Sequence, residues 1–311
     1  MASTKKLKVG VIGPKGQCGS CVVDELLSRG HHAVGISRPP TNWKKSGPNG
    51  QFSGKYSPLA IDVTDHIKLD EVFSSSGFEA IVVAYGPNLS DLSKVYYTLV
   101  ETQAKIKTAL LNSMYEGPFI IIGGAGSLHA QSGVQLVDTK DFAFSWWMTW
   151  PDAHMDYMYQ HGIDHGSWFI PIIIILFKWS RAAIEKTGIS AIFQPVARLV
   201  LSLLKTTMTI YGRGADNLSL ITGSQIAFTM WDGVKDRSWS FLSPPGMLRD
   251  KGIRTGKYQL HVDKPDTANF EACYNGIYNE DIVVAIVDEC ENNNLAFTHW
   301  SCTGQIDLGR W

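Results

Sequence analysis

Short runs in which almost every position is apolar recur through the first 122 residues. They are Leu7 to Ile12 (LKVGVI), His32 to Ile36, Pro58 to Asp62, Ala80 to Ala84 (AIVVA) and Phe119 to Ile122 (FIII). Between them lie stretches with helical apolar spacing: Cys21 to Ser28 (Val22, Val23, Leu26, Leu27), Ile67 to Phe73 and Leu92 to Ala109. Gly30 stands just past the first of these, where a glycine ends a helix. Pro39-Pro40 stops the second strand, and residues 41–56, polar and glycine-rich, predict a loop. Strands apolar on both faces and separated by helices predict a parallel sheet covered on both sides. The right-handed crossover rule makes it doubly wound.

The rhythm breaks near Phe142. Trp146, Trp147, Trp150, Trp168 and Trp179 are half of the ten tryptophans, and they fall within 34 residues. Two apolar stretches follow, Phe169 to Phe177 and Ile189 to Leu204, the second with a helical pattern. The alternation then resumes with a helix (Gln225 to Val234), two strands (Trp239 to Leu242, Tyr258 to Val262), a helix (Asn279 to Cys290) and a strand (Ala296 to Trp300). The chain thus divides into a core over 1–142, a helical, aromatic-rich insertion over 143–215 and the remainder of the core over 216–311.

The first strand runs into Gly13-Pro14-Lys15-Gly16-Gln17-Cys18-Gly19, a G-x-x-G-x-x-G loop that opens a helix. Gly13 permits the tight turn, Gly16 lets the backbone approach a pyrophosphate, and Gly19 lets helix and strand pack closely. The helix start supplies N–H groups and a positive dipole end for phosphates. This predicts a Rossmann dinucleotide site. An NAD site places Asp or Glu at the end of the second strand, but this chain has Ser37 and Arg38 there. Both suit a 2′-phosphate, and Lys15 adds a cation, so NADP(H) is the expected cofactor. Asp62 and Val63 are placed to touch the adenine edge.

Lys and Arg number 28 against 29 Asp and Glu, a net charge of −1. That balance gives no electrostatic case for nucleic acid or an acidic membrane surface. Five cysteines fit reduced thiols and a cytoplasmic setting better than a disulfide framework. The most apolar run, Trp168 to Phe177, is ten residues long and contains Pro171, whereas a membrane-spanning helix needs about 20. No transmembrane segment and no signal peptide are expected.

The motif series resembles a known family. Val11-Ile12-Gly13 through Gly19, Ile36-Ser37-Arg38-Pro39, Asp62-Val63-Thr64-Asp65, Ala84-Tyr85-Gly86-Pro87, Gly123-Gly124-Ala125-Gly126-Ser127-Leu128 and Gln135-Leu136-Val137-Asp138-Thr139 occur in order. Phe241-Leu242-Ser243-Pro244-Pro245 and Arg254-Thr255-Gly256-Lys257-Tyr258 follow. Together they resemble the NAD(P)H-binding, NmrA-like branch of the atypical short-chain dehydrogenases/reductases, in its fungal secondary-metabolism type. The resemblance implies a Rossmann fold, NADP(H), and a substrate bound over the carboxyl ends of the strands. Tyr85, Gly86, Ser243 and Pro244 would then lie beside the cofactor.

The Tyr-x-x-x-Lys acid–base pair of typical short-chain dehydrogenases is missing; Lys140 lies 13 residues after Ser127 without the tyrosine. Ser127, following the fifth strand, is the candidate for holding a substrate carbonyl. Asp152, His154 and Tyr157 are candidates for proton transfer. His161 and His165 have i, i+4 spacing but lack the glutamate of H-E-x-x-H, and no metal site is assigned. Cys18-Gly-Ser-Cys21 lies in the phosphate loop, not in a redox context.

The tryptophan-rich insertion reads as a pocket or lid for an apolar substrate, as plain core, or as a surface for a partner or membrane, and the helical spacing of 189–204 also fits a homodimer. One expectation is an NADP(H)-dependent oxidoreductase acting on a hydrophobic polycyclic secondary metabolite, such as an alkaloid. Walls of Trp146, Trp147, Trp150 and Trp168 could fold such a substrate for a redox-coupled Diels–Alder ring closure, as a Diels–Alderase would. The alternative is a cofactor sensor without catalysis that docks on a protein partner.

Overall fold

The computed structural model describes residues 5–39, 52–86, 92–131, 133–213, 220–250, 252–263 and 270–306. Pro40, Pro87 and most of the loop expected over 41–56 lie outside them. The apolar runs of the first half form β1 (Lys8–Ile12), β2 (His32–Ser37), β3 (Lys55–Ala60), β4 (Ala80–Val83) and β5 (Phe119–Ile122). The helices between are α1 (Gln17–Ser28), α2 (His66–Ser75) and α3 (Leu92–Asn112). The insertion contributes α4 (Phe144–Trp147), α5 (Asp152–Asp164), α6 (Phe169–Ile184) and α7 (Gln194–Arg213). Then come α8 (Leu220–Trp231), β6 (Trp239–Leu242), β7 (Met247–Arg249), β8 (Gln259–Val262), α9 (Phe270–Tyr274), β9 (Gly276–Tyr278), α10 (Asn279–Asn292) and β10 (Thr298–Thr303).

Eight strands make one sheet in the order β3-β2-β1-β4-β5-β6-β10-β8. The chain winds outward from β1 in one direction to β3, then returns to β4 on the other side. That reversal between β1 and β4 is the switch point at which doubly wound sheets bind ligands. Alternate side chains of the strands feed two cores. Val9, Val11, Val82 and Ile120 meet α1 and α10 in one, and Ile81, Val83, Phe119 and Ile121 meet α2, α3 and α8 in the other. Burial on both faces is why these strands are apolar at almost every position. Each fully buried Val, Ile or Phe stabilises by about 1.5–3 kcal/mol.

The sheet departs from expectation at its edges. β8 pairs antiparallel with β10, where an all-parallel sheet was expected. β3 begins before Pro58, which is accommodated because β3 is an edge strand. β7 and β9 form a separate two-stranded parallel pair that their three-residue lengths did not announce. Gly30 takes φ +80° just past α1, as expected.

The insertion builds a third core. Trp146, Trp150, Met155, Ile174, Phe177 and Leu204 pack there with Leu128, Leu136, Met247 and Cys273. Residues 152–164, with the candidate Asp152, His154 and Tyr157, form the helix α5. It carries Gly162 where Ile170 approaches, since a Cβ there would lie 3.0 Å from Ile170 Cγ2.

Candidate functional site

The glycine loop leaves the carboxyl end of β1 at the switch point. Gly13 has φ +76°, and a Cβ on it would lie 2.6 Å from the Ala84 carbonyl oxygen. A Cβ on Gly19 would lie 2.1 Å from the Gly13 carbonyl oxygen. The turn and the close helix–strand approach therefore both require glycine. At Gly16 a Cβ would stand 3.4 Å from its nearest neighbour, so the fold alone does not demand glycine there. Lys15, Gly16 and Gln17 are exposed, and no side chain caps the start of α1. These features fit a dinucleotide pyrophosphate: an open backbone cradle with a helix N-terminus at its floor.

Around the cradle, Ser37 is half-buried at the end of β2 and Arg38 is exposed. Asp62 Oδ1 accepts hydrogen bonds from Thr64 N (2.9 Å) and Thr64 Oγ1 (2.8 Å). Those bonds, joined by the nearby Arg38 charge, lower its pKa although burial opposes them. Val63 is core. Tyr85 is half-buried and Gly86 exposed, with open space where a Cβ would be. The Cys18 thiol turns toward Asn279 Oδ1 (3.6 Å), and burial, then Cys21, push it up to about 12. None of the five cysteines is in a disulfide.

Ser127 and Ser243 follow β5 and β6, and both are fully buried. Ser127 Oγ donates to Gly124 O (2.8 Å) and lies 2.7 Å from Ser243 Oγ. Ser243 Oγ is 2.7 Å from His299 Nε2, and His299 Nδ1 is 2.8 Å from Asp263 Oδ2. The same Asp263 oxygen also bonds His129 Nδ1. Burial works to raise the Asp263 pKa, but the two imidazoles outweigh it and hold the carboxyl at about 2. The hydrogen bond to Asp263 raises the His129 pKa. Burial lowers that of His299, whose ring stacks on Phe228 at 4.1 Å. His299 is thus neutral near pH 7, with Nδ1–H directed at Asp263 and Nε2 accepting from Ser243. At its outer end the chain of bonds meets a cavity of about 410 Å³, lined by His129, Gln135, Asp232 and Phe297 among others.

Sequence reasoning had found Ser127 and Ser243 but missed Asp263, His299 and His129. The Ser243 N–H bonds Trp300 O (2.9 Å) in the strand pairing. His129, Asp263 and His299 also form the one group among the described residues whose ligating atoms could hold a metal, all within 4.8 Å of one another. His161 and His165 belong to no such group among the described residues.

The other proposed proton-transfer residues lie elsewhere. Asp152 is exposed and pairs with Arg181 at 3.5 Å. Tyr157 OH donates to Asp250 Oδ1 (3.0 Å) and accepts from Asp250 N (3.1 Å). Burial, with the Asp250 carboxylate, pushes it up to about 12. It lines a second cavity of about 250 Å³ with His161, Arg249 and Tyr278, a lining that does not include Ser127. His154 is buried and accepts from Arg249 Nε (3.3 Å). Burial first, then the Arg249 charge, hold it down at about 3.

A depressed histidine makes stability depend on pH. Between about pH 6.5 and 3 the unfolded chain binds a proton at His154 that the folded chain refuses. This contribution is lost as pH falls below 6.5 and is constant above it. Unfolding free energies from urea titration at pH 7.5 and 5.0 are expected to differ by about 2 kcal/mol less in His154→Gln than in wild type.

The tryptophans do not line one pocket. Trp146 is 7% exposed, stacks on Phe142 and donates from Nε1 to Cys273 O (2.7 Å), whereas Trp168 is 78% exposed. Trp147 stacks on Trp150, and Arg181 caps the Trp150 carbonyl. Packing with one another consumes the surfaces expected to fold a polycyclic substrate.

No curated protein matches the chain by sequence. Among solved structures, it is similar to a candidate NADH-flavin reductase from Streptococcus pneumoniae. The TM-score is 0.58 at 18% identity, over 96% of this chain and 100% of that one. It is also similar to a candidate epimerase from Bacteroides thetaiotaomicron, with TM-score 0.56, 18% identity and coverage of 97% and 99%. At these identities the likeness shows the fold, which is a Rossmann-like α/β sheet with a helical elaboration. Residues 9–127, from β1 through the serine after β5, match the family described as NAD dependent epimerase/dehydratase.

Proposed function

We propose that the protein is an NADP(H)-dependent oxidoreductase acting on a hydrophobic carbonyl or imine and its reduced counterpart. The observation that carries this reading is the cradle at the β1/β4 switch point, where Gly13 and Gly19 allow no side chain. The family match over the same segment supports it, as does the NmrA-like motif series. Ser37 and Arg38, in place of an acid at the end of β2, support the phosphorylated cofactor.

When bound, NADP(H) supplies or accepts hydride over the carboxyl ends of the strands. Arg38 and Ser37 would hold the 2′-phosphate, and the first turn of α1 the pyrophosphate. With its hydroxyl hydrogen turned from Gly124 O to Ser243 Oγ, Ser127 would accept the proton of a substrate hydroxyl while its own proton passes to Ser243 and that of Ser243 to His299 Nε2. Asp263 then stabilises the imidazolium, and His129 connects the pair to the solvent-facing cavity. Reduction runs the same steps backward. Access to Ser127 requires movement of the start of α8, because Gly124 and Gly126 pack against Ser224 and Ile221.

The complete burial of Ser127 favours one second reading, a cofactor sensor without turnover. The test is titration with NADPH and NADH, followed by assay against a panel of apolar ketones, imines and alcohols. NADPH is expected to bind more tightly, and Arg38→Ala to weaken it about 10- to 100-fold through a lost charge-assisted contact. NADH affinity should change little. Equal cofactor affinities in wild type overturn the NADP assignment. Tight NADPH binding with no turnover across the panel favours the sensor.

A further inference from the structure

The whole-chain charge conceals a local imbalance. Residues 166–213, which form the α6–α7 hairpin, hold six Lys or Arg and one acidic residue, against −1 for the chain. The inner stripes of the two helices, with Ile174 and Phe177 on α6 and Leu204 on α7, enter the insertion's core. The opposite stripes are apolar too. Trp168, Ile175 and Trp179 along α6 and its start, then Val196, Leu199 and Leu203 along α7, are each between 41% and 78% exposed. Their spacing follows one side of each helix, so the two stripes face away from the core together. An apolar patch of this extent marks a docking surface.

Charge decides among occupants. Lys178, Arg181 and Lys205 pair with Asp156, Asp152 and Asp141, which lie outside the hairpin. Arg181 stays with the core, bonded to Trp150 O, whereas the Lys178–Asp156 pair, with Asp156 about two-thirds exposed, is weak and yields to a stronger anionic field. Lys186 and Arg198 are exposed on either side of the connection between the helices. We infer that this face docks on an anionic lipid bilayer, lying in the headgroup layer with its aliphatic and indole side chains inserted. Tryptophans with one apolar and one polar end suit that layer. The helices lie on the bilayer instead of crossing it. α6, at 16 residues, is about 24 Å long, and no helix among the described residues is long and apolar enough to span.

The test is co-sedimentation of the full chain with vesicles of phosphatidylcholine alone and with one-quarter phosphatidylserine. Binding to the anionic vesicles is expected, with a blue shift of tryptophan emission from Trp168 and Trp179. It should weaken at least tenfold in 0.5 M salt as screening shortens. Leu199→Glu/Leu203→Glu is expected to reduce binding at least tenfold while NADPH affinity and helix content are kept. Failure to bind anionic vesicles, or equal binding to both compositions, overturns the inference. So does a wild-type dimer that the double variant converts to monomer, which assigns the face to a second copy of this chain.

Discussion

A Gly19→Ala variant is expected to lose thermal stability and nicotinamide binding together. Helix propensity alone predicts the opposite sign, since alanine in a helix is about 1 kcal/mol better than glycine. The packing term wins here because the new Cβ would meet the Gly13 carbonyl oxygen at 2.1 Å. That oxygen belongs to backbone and cannot swing aside, so α1 must lift away from β1. Overpacking of this kind costs about 1–3 kcal/mol, or roughly 2 to 5 °C in melting temperature for a chain of this size. The same displacement moves the first turn of α1 off the phosphate site, and NADPH affinity should fall by about 100-fold, a penalty of the size given for a lost charge-assisted bond. Gly16→Ala provides the contrast. Its Cβ finds room in the fold, so the melting temperature should hold while cofactor affinity drops, because the methyl projects into the exposed cradle. Calorimetry and cofactor titration on both variants separate the two roles. A stable Gly19→Ala with normal affinity would sink the close-approach account.

The second large effect is expected at His299. With a substrate that turns over, His299→Gln should lower kcat by about 10²- to 10⁴-fold, the range of a general acid–base group. The KM for NADPH should stay within a few-fold, because the ring is not part of the glycine cradle. Asp263→Asn is expected to act similarly by releasing the imidazole tautomer that keeps Nε2 free to accept. The pH profile gives an independent sign. Burial sets the His299 pKa below the ordinary value near 6.5. Hydroxyl oxidation, which needs the neutral ring, should be flat above that value and fall in acid as the ring is protonated. Carbonyl reduction, which needs the imidazolium, should rise in acid. Prior treatment with EDTA is expected to leave the rate unchanged. Loss of activity on chelation, restored by a divalent ion, would mean that His129, Asp263 and His299 act as metal ligands instead of a relay.

How far the sequence could be read follows from the range of the forces involved. Doubly buried strands announce themselves because almost every position must be apolar, and the LKVGVI, AIVVA and FIII runs did so. The glycine loop was legible because the constraint is local, with Gly13 and Gly19 six residues apart. The relay was not, because its five residues come from four distant segments. Its one local trace is His299, a titratable residue in the strand-like Ala296 to Trp300 run. The tryptophan cluster misled for the opposite reason. Composition reports that aromatic surface exists, but only packing decides whether Trp146 and Trp150 face a ligand or one another.

The reversed edge strand has a consequence for the relay. β8 runs against β10, with Val262 opposite Trp300 and Gln259 opposite Thr303. Its carboxyl end therefore exits at the start of β10, and the next residue, Asp263, donates its N–H to His299 O at 2.8 Å. A parallel β8 would have delivered Asp263 to the far end of the ladder. Pairing frame and proton path are consequently one variable. The smallest slip that keeps side chains on their own faces is two residues, and it would carry the carboxylate about 7 Å from the imidazole. The titration of a single histidine thus becomes a gauge of edge-strand alignment, readable in solution without a second structure.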